Sequence, residues 1–299
     1  MKLINIITAW TICSCALYLT ACKGTISGLI PVSGKGAIYY EERGKDSPII
    51  LLHGHSLDTR MWNEQFSIFA QSHRVIRLDF RGYGKSSDQS EDFQHTHVDD
   101  VLTVMDSLGI EKAHIVGLSM GAFVAGDMLA LYPHRLLSCT LASGGIRNSP
   151  GPNEPMMEEE SRQRDKEIAA LKEKGINTYK REWYDILMSS GGSQKERMQQ
   201  PLWEMIEDWK AWQPLHKEVR LFYGKEAWSA LINRGTTNVP TLILRGKNEV
   251  KDPTKQPKEM NYLSKAQYEI IPDCGHMLNM ERPEEFNKLV LDFINNHEL

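Results

Sequence analysis

The pentapeptide Gly117-Leu118-Ser119-Met120-Gly121 carries the sharpest chemical signal in this chain. A serine between glycines at this spacing fits a G-x-S-x-G nucleophile elbow, which presents the hydroxyl on a strained strand-to-helix turn. The flanks agree, because 113–116 is an apolar strand-like run and 122–131 reads as a helix. Glycine on either side leaves clearance that a side chain would remove. The free N–H groups at the start of that helix would face the negative charge that develops during attack.

A serine hydroxyl is a weak nucleophile at neutral pH and needs a base within reach and a third group to orient that base. His276, in Asp273-Cys274-Gly275-His276-Met277, is the candidate base. It follows the last strand-like run and comes after the serine, as the chain order Ser, acid, His requires. Between them, the loop 246–253 offers Glu249 and Asp252 as the orienting carboxylate. An oxyanion hole needs two backbone donors. Met120, next to the serine, supplies one, and His55 in His53-Gly54-His55-Ser56 supplies the other. His53-x-His55 has chelating spacing, but no carboxylate or cysteine cluster lies near it in sequence, so neither a metal nor a cofactor is expected. His53 is expected to hydrogen-bond to neighbouring loops.

These residues need a scaffold that brings loop ends together. Strand-like runs at 48–52, 74–80, 113–116, 136–142, 241–245 and 267–271 alternate with helical patterns at 61–70, 97–108, 120–131 and 283–295. That alternation predicts an α/β fold with a mostly parallel sheet covered on both faces. Two earlier runs, 25–32 and 37–42, joined by Ser33-Gly34-Lys35-Gly36, predict an antiparallel hairpin at one edge. The rhythm breaks at 145–238. A loop at 148–155, a charged helix at 156–174 and an aromatic-rich stretch with Trp183, Trp203, Trp209 and Trp212 read as a helical insertion over the C-terminal sheet edge. Ligands bind at that edge in α/β sheets. Most of the aromatics are expected to pack the insertion onto the core, with one or two facing a pocket.

The 299 residues are 41% hydrophobic and 25% charged, with a net charge of −4 and a pI near 6.2. No basic stripe interleaved with aromatics is present, so nucleic acid is not an expected partner. Residues 1–21 read as a signal peptide, with Lys2 followed by an uncharged apolar run. The run ends in Leu19-Thr20-Ala21-Cys22, which is similar to a bacterial lipobox. That resemblance implies lipidation of Cys22 and an exported, membrane-anchored protein of a cell envelope. An uncleaved anchor, or a periplasmic or secreted product, is the alternative. Loss of Lys2 leaves the mature chain one unit more negative. Cys139 and Cys274 remain and are expected to be free and buried.

Together, His53-Gly54-His55-Ser56, Asp79-Phe80-Arg81-Gly82-Tyr83-Gly84-Lys85-Ser86, the Ser119 elbow, Gly246-Lys247-Asn248-Glu249 and Gly275-His276 resemble the α/β-hydrolase family. The similarity lies with its esterase, enol-lactonase, C–C hydrolase and cofactor-free haloperoxidase branch. The resemblance implies a core of 22–144 and 239–299 with 145–238 as a helical cap. It also implies Ser119, His276 and an acid as a catalytic triad. The family usually places aspartate where this chain has Glu249, and positional match favours Glu249 over Asp252. Serine at the elbow, rather than the aspartate of dehalogenases and epoxide hydrolases, implies acyl transfer from a small ester or lactone. A C–C hydrolase or haloperoxidase-like reaction with the same triad, or a non-catalytic lipoprotein with a binding cleft, are the rivals.

Overall fold

A computed structural model of the chain describes residues 24–298 apart from 92, 218–220 and 236. The signal segment 1–21 and Cys22 lie outside the described residues. Eight strands form one sheet: β1 Ile26–Val32, β2 Gly36–Arg43, β3 Pro48–Leu52, β4 Arg74–Leu78, β5 Ala113–Leu118, β6 Leu136–Ala142, β7 Thr241–Gly246 and β8 Ala266–Ile271. Their spatial order is β1-β2-β4-β3-β5-β6-β7-β8. The pairs β1–β2 and β2–β4 are antiparallel, and every pairing from β4 to β8 is parallel. The predicted parallel sheet with an antiparallel edge is therefore what forms.

The sequence explains the layering. Side chains alternate across a strand, yet Ile49, Ile50, Leu51 and Leu52 are all fully buried. Ile50 and Leu52 pack in one apolar layer, while Ile49 and Leu51 pack in the other. Continuous apolar runs belong to strands covered on both faces. Helices α1 (Asn63–Phe69) and α10 (Pro283–Asn295) supply Phe66, Phe69, Phe286 and Val290 to one layer. Helices α2 (His97–Ser107) and α3 (Met120–Leu131) supply Val98, Val101, Val124 and Met128 to the other. Cys139 and Cys274 are free and buried, one in each layer. Cys274 lies in the loop after β8 rather than on a strand.

Between β6 and β7 come α4 (Glu158–Lys174), α5 (Ile176–Ser189), α6 (Gln199–Asp208), α7 (Trp212–Leu215) and α8 (Lys225–Arg234). Helix α4 buries only Leu171 and places Glu158, Glu159 and Glu160 in its first turn and Lys172 and Lys174 in its last. It is a solvated helix with charges matched to its own dipole. Helix α8 packs against α3, and its Ala227 and Leu231 join that side of the core. A parallel crossover from β6 to β7 needs a helix on the sheet face, and α8 provides it. The remaining short helix, α9 (Leu278–Glu281), leads from the His276 loop into α10.

Candidate active site

Ser119 lies between β5 and α3 with φ 56° and ψ −112°. A side chain rarely adopts this left-handed region unless its surroundings enforce it. The surroundings do so here. The Ser119 N–H donates to the Ala142 carbonyl at 2.9 Å, and the Ser119 carbonyl accepts from the Phe123 N–H at 3.1 Å. A Cβ on Gly117 would lie 2.2 Å from the Gly121 carbonyl oxygen, so this glycine provides clearance across the turn. A Cβ on Gly121 would lie 2.0 Å from the Leu52 carbonyl oxygen. Gly121 therefore lets α3 close onto the end of β3, which brings the His53–Ser56 loop beside the serine. A Cβ on Gly54 would meet Ser119 Cβ at 3.6 Å. Ser119 is partly exposed while the six residues of β5 before it are buried.

His276 and Glu249 meet directly, Nδ1 to Oε1. The other carboxylate oxygen of Glu249 accepts from the Ser143 hydroxyl at 2.6 Å. Burial alone would raise the Glu249 carboxyl. The hydrogen bond and charge of His276, the Ser143 hydroxyl and the Arg245 cation outweigh it and hold the carboxyl below its usual value. Asp252 points elsewhere: its Oδ1 accepts from Thr254 N at 3.0 Å and Thr254 Oγ1 at 2.6 Å, and its nearest cation is Lys255. Of the two carboxylates the sequence left open, the fold brings Glu249 to His276.

Gly275 serves close approach rather than a tight turn. A Cβ there would lie 2.6 Å from the Ser190 carbonyl oxygen, and the left-handed residue of this loop is Asp273, with φ 46°. Buried Glu281 accepts from the Gly275 N–H at 2.8 Å and also from the Gly192 N–H.

Met120 is the first residue of α3, where a helical N–H has no carbonyl one turn back. His55 stands on the loop that follows β3. Its Nδ1 pairs with Tyr83 Oη at 2.8 Å, and that hydroxyl lies 3.4 Å from Met120 Sδ. Tyr83 thus ties together the two residues singled out as backbone donors. Buried Asp79 folds the Tyr83 loop, accepting from Thr59 N at 2.7 Å and Lys85 N at 2.9 Å. The buried Arg81–Asp100 pair braces the same loop at 2.6 Å. His53 accepts from the Phe80 N–H at Nε2, 3.0 Å, and its Nδ1 meets the Gly54 carbonyl at 2.7 Å. An acceptor at Nε2 leaves the proton on Nδ1, so His53 is a neutral loop staple. Burial pushes His53 down to about 4, and burial together with His53 does the same to His55.

Among the described residues, His95, His97 and Asp100 bring possible ligand atoms within 4.8 Å of one another. Both oxygens of Asp100 already accept from Arg81, at 2.7 and 2.6 Å. A guanidinium so placed would repel a divalent cation, so this cluster does not fit a metal centre.

Comparison with known proteins gives the wider frame. The alpha/beta hydrolase fold family model matches residues 47–283. The chain belongs to that family. A 2-hydroxy-6-oxo-6-phenylhexa-2,4-dienoate hydrolase of Comamonas testosteroni is 27% identical over 272 residues, covering 86% of this chain and 91% of its own. An uncharacterized carboxylesterase of Bacillus subtilis is 26% identical, covering 83% of this chain and 79% of its own. An esterase structure from Exiguobacterium antarcticum superposes with a TM-score of 0.71 at 19% identity, covering 90% of this chain and all of its own. At that identity the last likeness speaks for the fold alone.

Sequence reasoning gave Ser143, Tyr83 and Glu281 at this site no role and placed Trp183 only among the aromatics of the insertion. Ser143 carried a signal, since it directly follows the apolar run of β6 and so falls on the C-terminal edge. Tyr83 lies in a loop quoted for resemblance and was given no role. Trp183 and Glu281 sit on helices whose patterns say nothing of what they face.

Proposed function

We propose that this protein is a serine hydrolase that cleaves a small ester, lactone or related acyl compound through an acyl-enzyme. In this reading His276 removes the proton from Ser119, which attacks the carbonyl carbon. Glu249 holds the His276 tautomer and stabilises the imidazolium, and the N–H groups of His55 and Met120 take the oxyanion. Collapse expels the alcohol, protonated by His276. A water deprotonated by His276 then attacks the acyl-enzyme and releases the acid. The observation that carries the reading is the Glu249–His276 pair, with its second oxygen on Ser143, on the sheet edge that also presents the strained Ser119.

The reading is tested by treating the protein with a fluorophosphonate and with p-nitrophenyl esters, beside Ser119→Ala. Labelling and turnover in the parent alone are expected. Turnover unchanged in Ser119→Ala refutes it. Absence of labelling in a folded parent favours the non-catalytic binding role.

One observation favours a second reading. The Comamonas testosteroni relative is named as a dienoate hydrolase, at 27% identity. A dienol ketone substrate assayed beside a simple ester separates C–C from ester cleavage. Export and anchoring through lipidated Cys22 remain a proposal, supported by the residues 19–22.

A further inference from the structure

Helix α5 touches both halves of the site. At its middle, the Trp183 indole N–H donates to Ser56 Oγ at 2.8 Å, and the Ser56 hydroxyl donates to the carbonyl of His55. At its C-terminal end, Ser190 Oγ accepts from the His276 N–H at 3.3 Å, and the Ser190 carbonyl accepts from Asn248 Nδ2 at 2.9 Å. Gly192, two residues on, is held with Gly275 by buried Glu281.

The first contact bears on where the His55 N–H points. A peptide is planar, so fixing its carbonyl fixes its N–H. The Gly54 carbonyl, in the same peptide as the His55 N–H, is held by His53 Nδ1 at 2.7 Å. The next peptide is held at the His55 carbonyl by Ser56 Oγ. Ser56 is fully buried and left-handed, with φ 65°, a conformation that persists only when its surroundings enforce it. Its hydroxyl owes its orientation to the indole of Trp183. The His55 ring also meets Trp183 and Trp209 edge-on, with centroids 5.8 and 4.8 Å apart.

We propose that Trp183 is a positioning residue: acting through Ser56, it aligns the His55 N–H, so that docking of α5 completes the oxyanion hole. The kinetic part rests on the acyl-transfer reading above; the structural part does not.

The test compares Trp183→Phe, which keeps an aromatic ring and removes the N–H, with Ser56→Ala, their double variant and Trp203→Phe as a cap control. Hydrogen exchange is followed across 54–58. Expected is exchange there roughly ten-fold faster in Trp183→Phe and Ser56→Ala, with α3 and Trp203→Phe unchanged. With a p-nitrophenyl ester, kcat is expected to fall roughly ten-fold at a KM within about two-fold, and the double variant to be no worse than either single one. Exchange at 54–58 equal to the parent overturns the proposal. So does a KM rise with kcat held, which would make Trp183 a wall of the pocket only, or losses that add in the double variant. If the parent turns over no ester, the acyl-transfer reading fails and the exchange comparison still decides this one.

Discussion

Replacing Glu249 by glutamine removes the charge and keeps the shape. A unit pair about 4 Å apart interacts by about 4 kcal/mol at an effective dielectric near 20. The two side chains are 23% and 19% exposed, so solvent screening brings this nearer about 3 kcal/mol. If the imidazolium forms only in the transition state, that loss falls on kcat, by about two orders of magnitude. Tautomer control need not fail as well. The Ser143 hydroxyl now donates to Glu249, but a hydroxyl also accepts. It can take the new amide N–H while the amide oxygen keeps facing His276 Nδ1. Ser143→Ala in the glutamine background removes that preference and frees the wrong amide orientation, so a further fall of roughly ten-fold is expected. Steady-state hydrolysis of a p-nitrophenyl ester, with Ser119→Ala as the floor, measures all of these. A glutamine variant within about three-fold of the parent refutes the reasoning. So does Asp252→Asn with an equal loss.

Three other outcomes are expected, two from the same structure and one from the lipobox-like residues 19–22. Gly121→Ala forces a Cβ to within 2.0 Å of the Leu52 carbonyl oxygen; it is expected to cost about 3 kcal/mol or more, read as a lower urea midpoint. Asp127 on α3 is buried, with Oδ2 on the Tyr223 N–H and Oδ1 unpartnered, and burial raises its carboxyl to about 7. Its unfolded value lies near 4, so the folded state binds the extra proton and stability is lost as pH rises from about 4 through 7. Asp127→Asn is expected to flatten that slope, worth at most about 4 kcal/mol, in urea melts at pH 5, 6, 7 and 8. An unchanged slope counts against it. Cys22→Ser is expected to abolish incorporation of labelled palmitate and release the protein from membranes; retained label in the variant excludes Cys22 as the acylated residue.

Much of the core was legible because burial on both faces leaves an unmistakable pattern. Strands β3 and β6 and helices α3 and α10 fall at 48–52, 136–142, 120–131 and 283–295, as expected from the sequence. The elbow was legible for a related reason: its glycines answer to backbone atoms nearby in the chain or on the adjacent strand end. The insertion was legible only as an interruption. Nothing in the patterns of α5 and α6 distinguishes Trp183, which meets Ser56, from Trp203, which packs on Tyr184 within the insertion. Both are aromatic residues on amphipathic helices, and only tertiary placement separates them. Helix α8 falls within 145–238, which reads as one insertion because it lacks a buried-strand run, and the β6–β7 crossover packs it against α3.

The glutamate at the acid position was the one departure that kept a non-catalytic reading alive. Its longer side chain asks whether the carboxylate can still meet His276 Nδ1. The loops answer together. Gly246 and the Gly275 backbone approach so closely that a Cβ on Gly246 would lie 2.1 Å from the Gly275 carbonyl oxygen. The Asn248 N–H donates to the Cys274 carbonyl at 3.0 Å, which fixes the acid loop against the histidine loop. Glu249 then starts from a short turn, Lys247–Glu249, and its extra methylene carries the carboxylate to His276 with one oxygen left for Ser143. Glu249 is thus gripped at both oxygens, by the His276 ring that a tautomer-fixing acid must meet and by the Ser143 hydroxyl. The same geometry predicts that Glu249→Asp keeps the charge and loses the reach. Its kcat is expected to fall between the parent and Glu249→Gln, and an aspartate variant faster than the parent would mean that glutamate is a compromised acid here.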